Sequence, residues 1–199
     1  MQKMSWISLV VITVCLLSSS GLSQAYLIDT GTPTMPAGAA IGGAAWFMYG
    51  AQFTVPEGNT YVITSIQGYY SVDEGGSVYT SLVNDVSGLP GVSILSSATP
   101  LSNSGWYGLT GLNLSLSSGK YWVVLIGDPF LINYVGTSSP DPLSPEAQWY
   151  GPPVNWVTAS RGLGVRIDGQ AIATPEPCII LLLGLGLIGL AEIRNKFSN

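Results

Sequence analysis

Along residues 51–172 the apolar positions fall in short runs, and clusters of Gly, Pro, Asn and Asp separate them. Residues 52–55 form one run that stops at the turn cluster Pro56-Glu57-Gly58-Asn59. Residues 61–70 and 77–83 are β-branched and aromatic runs on either side of Asp73-Glu74-Gly75-Gly76. Ser87-Gly88-Leu89-Pro90-Gly91 predicts a further turn, followed by a short strand over residues 92–95. Leu112, Leu114 and Leu116 alternate with Asn113, Ser115 and Ser117, the pattern of a half-buried strand. Residues 121–126 are apolar on both faces, which predicts a central strand. A last run covers residues 164–172. Residues 26–50 are rich in Gly, Pro, Ala and Thr without a period, and read as an extended lead that joins a sheet late. No stretch between the two ends carries 3.6-residue periodicity with caps. The pattern therefore predicts an all-β domain, an antiparallel β-sandwich of jelly-roll type.

The two ends break this pattern. The first 25 residues, MQKMSWISLVVITVCLLSSSGLSQA, place Lys3 ahead of an apolar run over 7–17 and end in Ser23-Gln24-Ala25. That order predicts a helical signal peptide cleaved after Ala25. Its apolar run is too short to span a bilayer comfortably, which takes about 20 residues. At the other end, Pro175-Glu176-Pro177 stops the last strand and precedes an apolar helix over about 178–191. Arg194 and Lys196 follow as a basic stop, so the tail is expected to stay cytoplasmic while the domain lies outside. So short an apolar helix is marginal for a stable span and suits a transient sorting helix or an anchor. The chain thus divides into a signal peptide (1–25), an exported domain (26–173) and a sorting or anchoring segment (174–199).

Pro175-Glu176-Pro177, the Leu/Gly-rich helix and the basic tail together resemble the PEP-CTERM sorting signal of bacterial exported proteins. The resemblance implies recognition by an exosortase, a membrane cysteine peptidase, with cleavage near the motif. It also implies a Gram-negative host that makes extracellular polysaccharide. A second resemblance covers the middle of the chain. Residues 51–55 (AQFTV), 61–66, Ser87-Gly88-Leu89-Pro90-Gly91 and 120–125 (KYWVVL) are similar, in that order, to the choice-of-anchor R domains. This implies a β-rich exported module and no particular mechanism.

Composition then removes several chemistries. There is no histidine, hence no imidazole base, no Ser-His pair and no usual zinc ligand set. Cys15 and Cys178 both lie in the hydrophobic ends, so the domain between them is expected to hold no disulfide, no thiol nucleophile and no Cys-bound metal. No cofactor is expected. Residues 26–177 carry three Lys or Arg against ten Asp or Glu, a net charge of −7 that repels nucleic acid.

Among candidate sites the aromatics are the most suggestive: Trp46, Trp106, Tyr107, Trp122, Trp149, Tyr150 and Trp156. Exposed aromatic faces stack on sugar rings, although any sandwich also needs large aromatics for packing. Trp122 sits mid-strand and reads as packing. Trp149, Tyr150 and Trp156 flank Gly151-Pro152-Pro153 in a loop-like stretch and are the candidate ligand-binding residues. The paired carboxylates of Asp73-Glu74 suit calcium but lack further oxygen ligands at set spacing, and read as a solvated turn. Asn113-Leu114-Ser115 matches a glycosylation sequon within a strand.

These features point to a non-enzymatic module of the cell surface or extracellular matrix. Its expected partners are the export machinery, an exosortase, the membrane and extracellular polysaccharide. The alternative is a carbohydrate-binding module. A glycoside hydrolase, which needs only two carboxylates, has the least support.

Overall fold

The computed structural model of the protein describes residues 25–43, 46–152 and 155–173. The expected signal peptide up to Gln24, the Pro175-Glu176-Pro177 motif, the segment 178–191, and Arg194 and Lys196 lie outside the described residues.

The described residues form two antiparallel sheets and no helix. In the first sheet, β1 (Ala25–Asp29) pairs with β13 (Val165–Ala173), and β13 pairs with β4 (Asn59–Ser71). Beyond the end of β13, β4 pairs with β10 (Ile132–Thr137), which in turn pairs with β2 (Met35–Gly42). Along the other edge of β4 lie β7 (Gly105–Leu109) and β8 (Leu114–Leu116), end to end. The second sheet runs in the order β12 (Val157–Ala159), β11 (Glu146–Trp149), β3 (Met48–Val55), β9 (Gly119–Ile126), β5 (Ser77–Val86) and β6 (Leu89–Pro100).

Period-two alternation packs the sheets face to face. Tyr49, Ala51, Phe53 and Val55 on β3, with Val123 and Leu125 on β9, share one buried cluster with Ile63, Ile66, Val165 and Ile167 of the other sheet. Tyr70 of β4 crosses the interface. Its hydroxyl donates to the Tyr79 carbonyl at 3.0 Å and lies 2.9 Å from Thr80 Oγ1 on β5. Burial pushes the Tyr70 phenol far above its ordinary value, against the opposing pull of its hydrogen bonds to Thr80 and Ile126. The sheets approach closely here, because a Cβ on Gly68 would sit 2.4 Å from Leu125 Cδ2.

β4 is one long strand only because it changes phase within its length. Its register with β13 shifts between Asp168 and Gly169, opposite Ser65 and Ile63, leaving Thr64 as an extra residue. Ile63 is buried before this bulge, and Ile66 and Tyr70 after it. A bulge flips the inward set by one position, so the uniform apolar run of residues 61–70 serves a single inner face.

Several expectations need correction. Residues 26–50 are no late-joining lead: β1 and β2 are full members of the first sheet, and β3 starts at Met48 rather than at residue 52. Their Gly, Pro and Ala content hides the alternation that marks other strands. The turn read over residues 87–91 is only Ser87-Gly88, and the strand after it runs twelve residues rather than four. β8 is confined to residues 114–116, so Asn113 precedes the strand and is exposed. The unbroken apolar run of 121–126 does form a central strand, between β3 and β5.

Glu146, on β11, is a buried carboxylate with a structural task. It accepts backbone N–H bonds from Arg161, from Gly162 at 3.1 Å and from Leu163 at 2.7 Å. These bonds fix the segment between β12 and β13. Removing the acceptor leaves buried N–H groups unsatisfied, so Glu146→Ala is expected to lower stability by about 2–4 kcal/mol. Glu57→Ala, at an exposed turn position, is expected to stay within about 0.5 kcal/mol of wild type. Urea denaturation of both variants checks this.

Candidate functional site

β9 is apolar at every position from Tyr121 to Ile126, so its sheet has two faces to bury and the first sheet covers only one. On the outer face, Val83, Trp122, Val124 and Ala147 form a second buried cluster, with Met48, Leu89, Ile126 and Trp156 packed against it. The cover comes from the β5–β6 hairpin of the same sheet. Ser87 (φ 55°) and Gly88 (φ 83°) make a two-residue turn between the paired Val86 and Leu89, the conformation that suits a twisted hairpin. Irregularities at Leu82/Val83 and Val83/Asp85 bend the hairpin onto the face. Its tip reaches as far as Gly50 on β3, where a Cβ would lie 3.3 Å from Trp122 Cε3 and 3.4 Å from Pro90 Cγ.

One carboxylate fastens this fold-back. Asp85 Oδ1 accepts from Trp122 Nε1 at 2.7 Å and from Gln52 Nε2 at 2.7 Å, while Oδ2 accepts the Gly88 N–H at 3.1 Å. Partial burial pushes the Asp85 carboxyl up. The hydrogen bonds from Trp122, Gly88 and Gln52, with the charge of Lys120, outweigh that and hold it below its ordinary 3.8.

Between the tip of the hairpin and the end of β11 lies a groove of about 350 Å³, lined by Val86, Leu89, Pro90, Trp149, Asn155 and Trp156. Two of the three candidate residues therefore come together. Tyr150 does not join them; its ring meets Phe47 edge-on, with centroids 5.4 Å apart. Nor is Trp149 a loop residue, since it ends β11 and pairs with Met48.

Met48 also lines a second depression, of about 270 Å³, with Trp46, Phe47, Tyr79, Ile126 and Pro129. This cleft lies outside the expected site, because its first wall belongs to the stretch read as a lead. Trp46 is 52% exposed and held at φ 52°, a conformation a bulky side chain rarely adopts. The turn before it is fixed by the Gly43 N–H, which bonds the carbonyls of Asp128 and Leu131, and by the Trp46 N–H, which bonds that of Gly43. The neighbouring 127–131 loop leaves Phe130 88% exposed. Gly42-Gly43 ahead of Trp46-Phe47 was the available signal for this turn.

The remaining aromatics have packing partners. Trp122 is fully buried, in the outer cluster rather than between the sheets. Trp106 stands edge-on to Tyr69 at 5.4 Å, and the Arg166 guanidinium lies 4.0 Å over its ring while bonding Asp29 at 3.0 Å. The Tyr107 hydroxyl accepts the Asn103 N–H at 3.2 Å. In the Asp73-Glu74 turn, Glu74 Oε2 accepts the Ile132 N–H at 2.6 Å and the Asp73 N–H bonds Asn133 Oδ1 at 3.1 Å, which ties the turn to β10. Among the described residues no three His, Cys, Asp or Glu gather in a group able to hold a metal ion.

The sequence matches no protein-family model and no curated protein.

Asp85→Ala leaves the buried Trp122 N–H without an acceptor and is expected to cost about 1–3 kcal/mol, with faster exchange of that indole proton by NMR. The pH dependence follows from the depressed carboxyl: its contribution is complete above the unfolded value and is lost as pH falls through the lower folded one. The stability gap between wild type and Asp85→Asn is therefore expected to narrow as pH falls below the ordinary carboxylate range. Chemical denaturation across that range measures it.

Proposed function

We propose that this chain is an exported, non-enzymatic module of the cell surface or extracellular matrix, sorted through the PEP-CTERM-like signal at Pro175-Glu176-Pro177. In this reading the signal peptide is removed after Ala25, an exosortase recognises the C-terminal segment, and the apolar stretch before Arg194 and Lys196 holds the chain in the membrane at least transiently. The relation to choice-of-anchor R domains and the jelly-roll form of the sandwich belong to the same proposal.

The observation that supports it is the direction of the two described chain ends. β1 enters with Tyr26 opposite Asp168, and β13 leaves with Ala173 opposite Asn59, beside the turn that joins β3 to β4. Both ends thus head toward one pole of the sandwich. The loops over 72–76 and 127–131, and the turn between β2 and β3, occupy the other pole. A tether beyond Ala173 leaves the Trp46 cleft facing away from the membrane, the geometry a displayed module needs.

A second reading, a carbohydrate-binding module, is favoured by the meeting of Trp149 and Trp156 in one groove. Two aromatic side chains beside the Asn155 amide suit a sugar, which offers both an apolar face and hydroxyls. A carboxylate-dependent hydrolase has no comparable observation behind it. Asp29, Glu74, Asp85 and Glu146 are each engaged in holding a strand or loop.

Intact mass of the protein from membrane and medium fractions of its host tests the sorting. A mass beginning at Tyr26 and ending near Pro177 is expected outside the cell; a mass that retains residues 178–199 in every fraction would overturn processing. For the second reading, Trp149→Ala and Trp156→Ala are expected to abolish retention on the host's polysaccharide while the folded circular-dichroism spectrum persists. Unchanged retention would rule the groove out.

A further inference from the structure

We infer that the groove at Trp149/Trp156 and the cleft at Trp46 are two subsites of one extended site for a neutral polysaccharide chain; this rests on the carbohydrate-binding reading. The two depressions are joined by a cross-strand pair. Met48 on β3 lines the cleft, and Trp149, directly opposite it on β11, lines the groove. Side chains paired in this way on one face of an antiparallel sheet stand about 4.5–5.5 Å apart at Cβ, so no ridge of backbone divides the depressions. The aromatic surface runs from Trp46 past Met48 and Trp149 to Trp156, across the face that the β5–β6 hairpin leaves open.

The chemistry of the lining selects the ligand. No charged side chain lines either depression among the described residues. The polar groups are the Tyr79 and Ser96 hydroxyls in the cleft and the Asn155 amide in the groove. Neutral donors and acceptors beside aromatic faces match hydroxyls and ring faces of an uncharged sugar. A polyuronate finds no cation here and meets the field of a domain whose residues 26–173 carry a net charge of −6. The backbone of Trp46 adds an independent pointer. A tryptophan kept half exposed in the left-handed region is strained, and strain of this kind collects at binding sites.

Two linked subsites have a signature that one lacks: affinity rises with chain length until both are filled, because the second contact is intramolecular. The test is calorimetric titration of the protein purified from its host, with neutral β-1,4-linked glucan, mannan and N-acetylglucosamine oligomers from dimer to hexamer, and with a polyuronate hexamer. For one of the neutral series, affinity is expected to rise at least about tenfold from dimer to hexamer, with the polyuronate weaker by at least the same factor. Trp46→Ala is expected to erase the length gain and leave dimer binding intact, whereas Trp149→Ala removes binding at every length. Circular dichroism of each variant establishes that it is folded. A flat length series, or a Trp46→Ala variant that keeps the gain, would overturn the two-subsite inference and leave the carbohydrate reading standing. Absence of binding to all three neutral series, or preference for an alkyl detergent over any of them, would overturn both.

Discussion

A sheet that is apolar on both faces must be covered twice, and that constraint shapes this molecule. β9 supplies it with Tyr121 to Ile126, an unbroken run of aromatic and aliphatic side chains. The first sheet buries Val123 and Leu125, leaving Trp122 and Val124 on the far side. Full burial of a side chain of that size contributes a few kcal/mol, enough to favour any element that reaches it. Here the covering element is the hairpin that continues from the neighbouring strand β5, bent back by its bulges. Asp85 answers the one polar cost of the arrangement, the Trp122 indole N–H.

The same fold-back creates the surface to which function is assigned. The hairpin covers the Trp122 end of the outer face and stops at Leu89 and Pro90. The step between its tip and Trp149 becomes a groove, and the uncovered end beyond Met48 becomes the Trp46 cleft. Packing and the two open depressions are thus two outcomes of one incomplete cover. The carboxylates of the domain serve this scaffold: Glu146 holds the 161–163 segment behind β11, and Glu74 holds the turn at the pole. The acidic character read from composition is in good part loop-fastening.

Much of the fold was legible in the sequence because continuous or alternating apolar runs bounded by turn residues advertise strands. The run at 121–126, the alternation ending at Leu116 and the final run into Ala173 all became strands close to where the pattern puts them. Less was legible where residues lack contrast. β2, MPAGAAIG, reads as a loop by composition, yet it pairs with β10 along its length. β6 looked four residues long because beyond Leu95 it continues as Ser96-Ser97-Ala98-Thr99, and an edge strand needs little apolar content to pair. The phase change at Thr64 cannot be read from a stretch that is apolar or β-branched at nearly every position.

What the sequence by itself determined is the fold class of the protein. Two hydrophobic ends around an acidic, β-patterned middle without histidine or cysteine establish an all-β domain, and they carry the expectation of export and sorting, because such signals are linear and are read along the chain. The tertiary structure decided which aromatics meet. Trp149 and Trp156 share a groove, Tyr150 turns to Phe47, Trp122 goes under the hairpin, and Trp46 joins the face from about a hundred residues away. A single spacing cannot reveal those meetings, because they depend on strand register across a sheet and on where a bulge bends a hairpin, and both are settled by burial shared among distant residues.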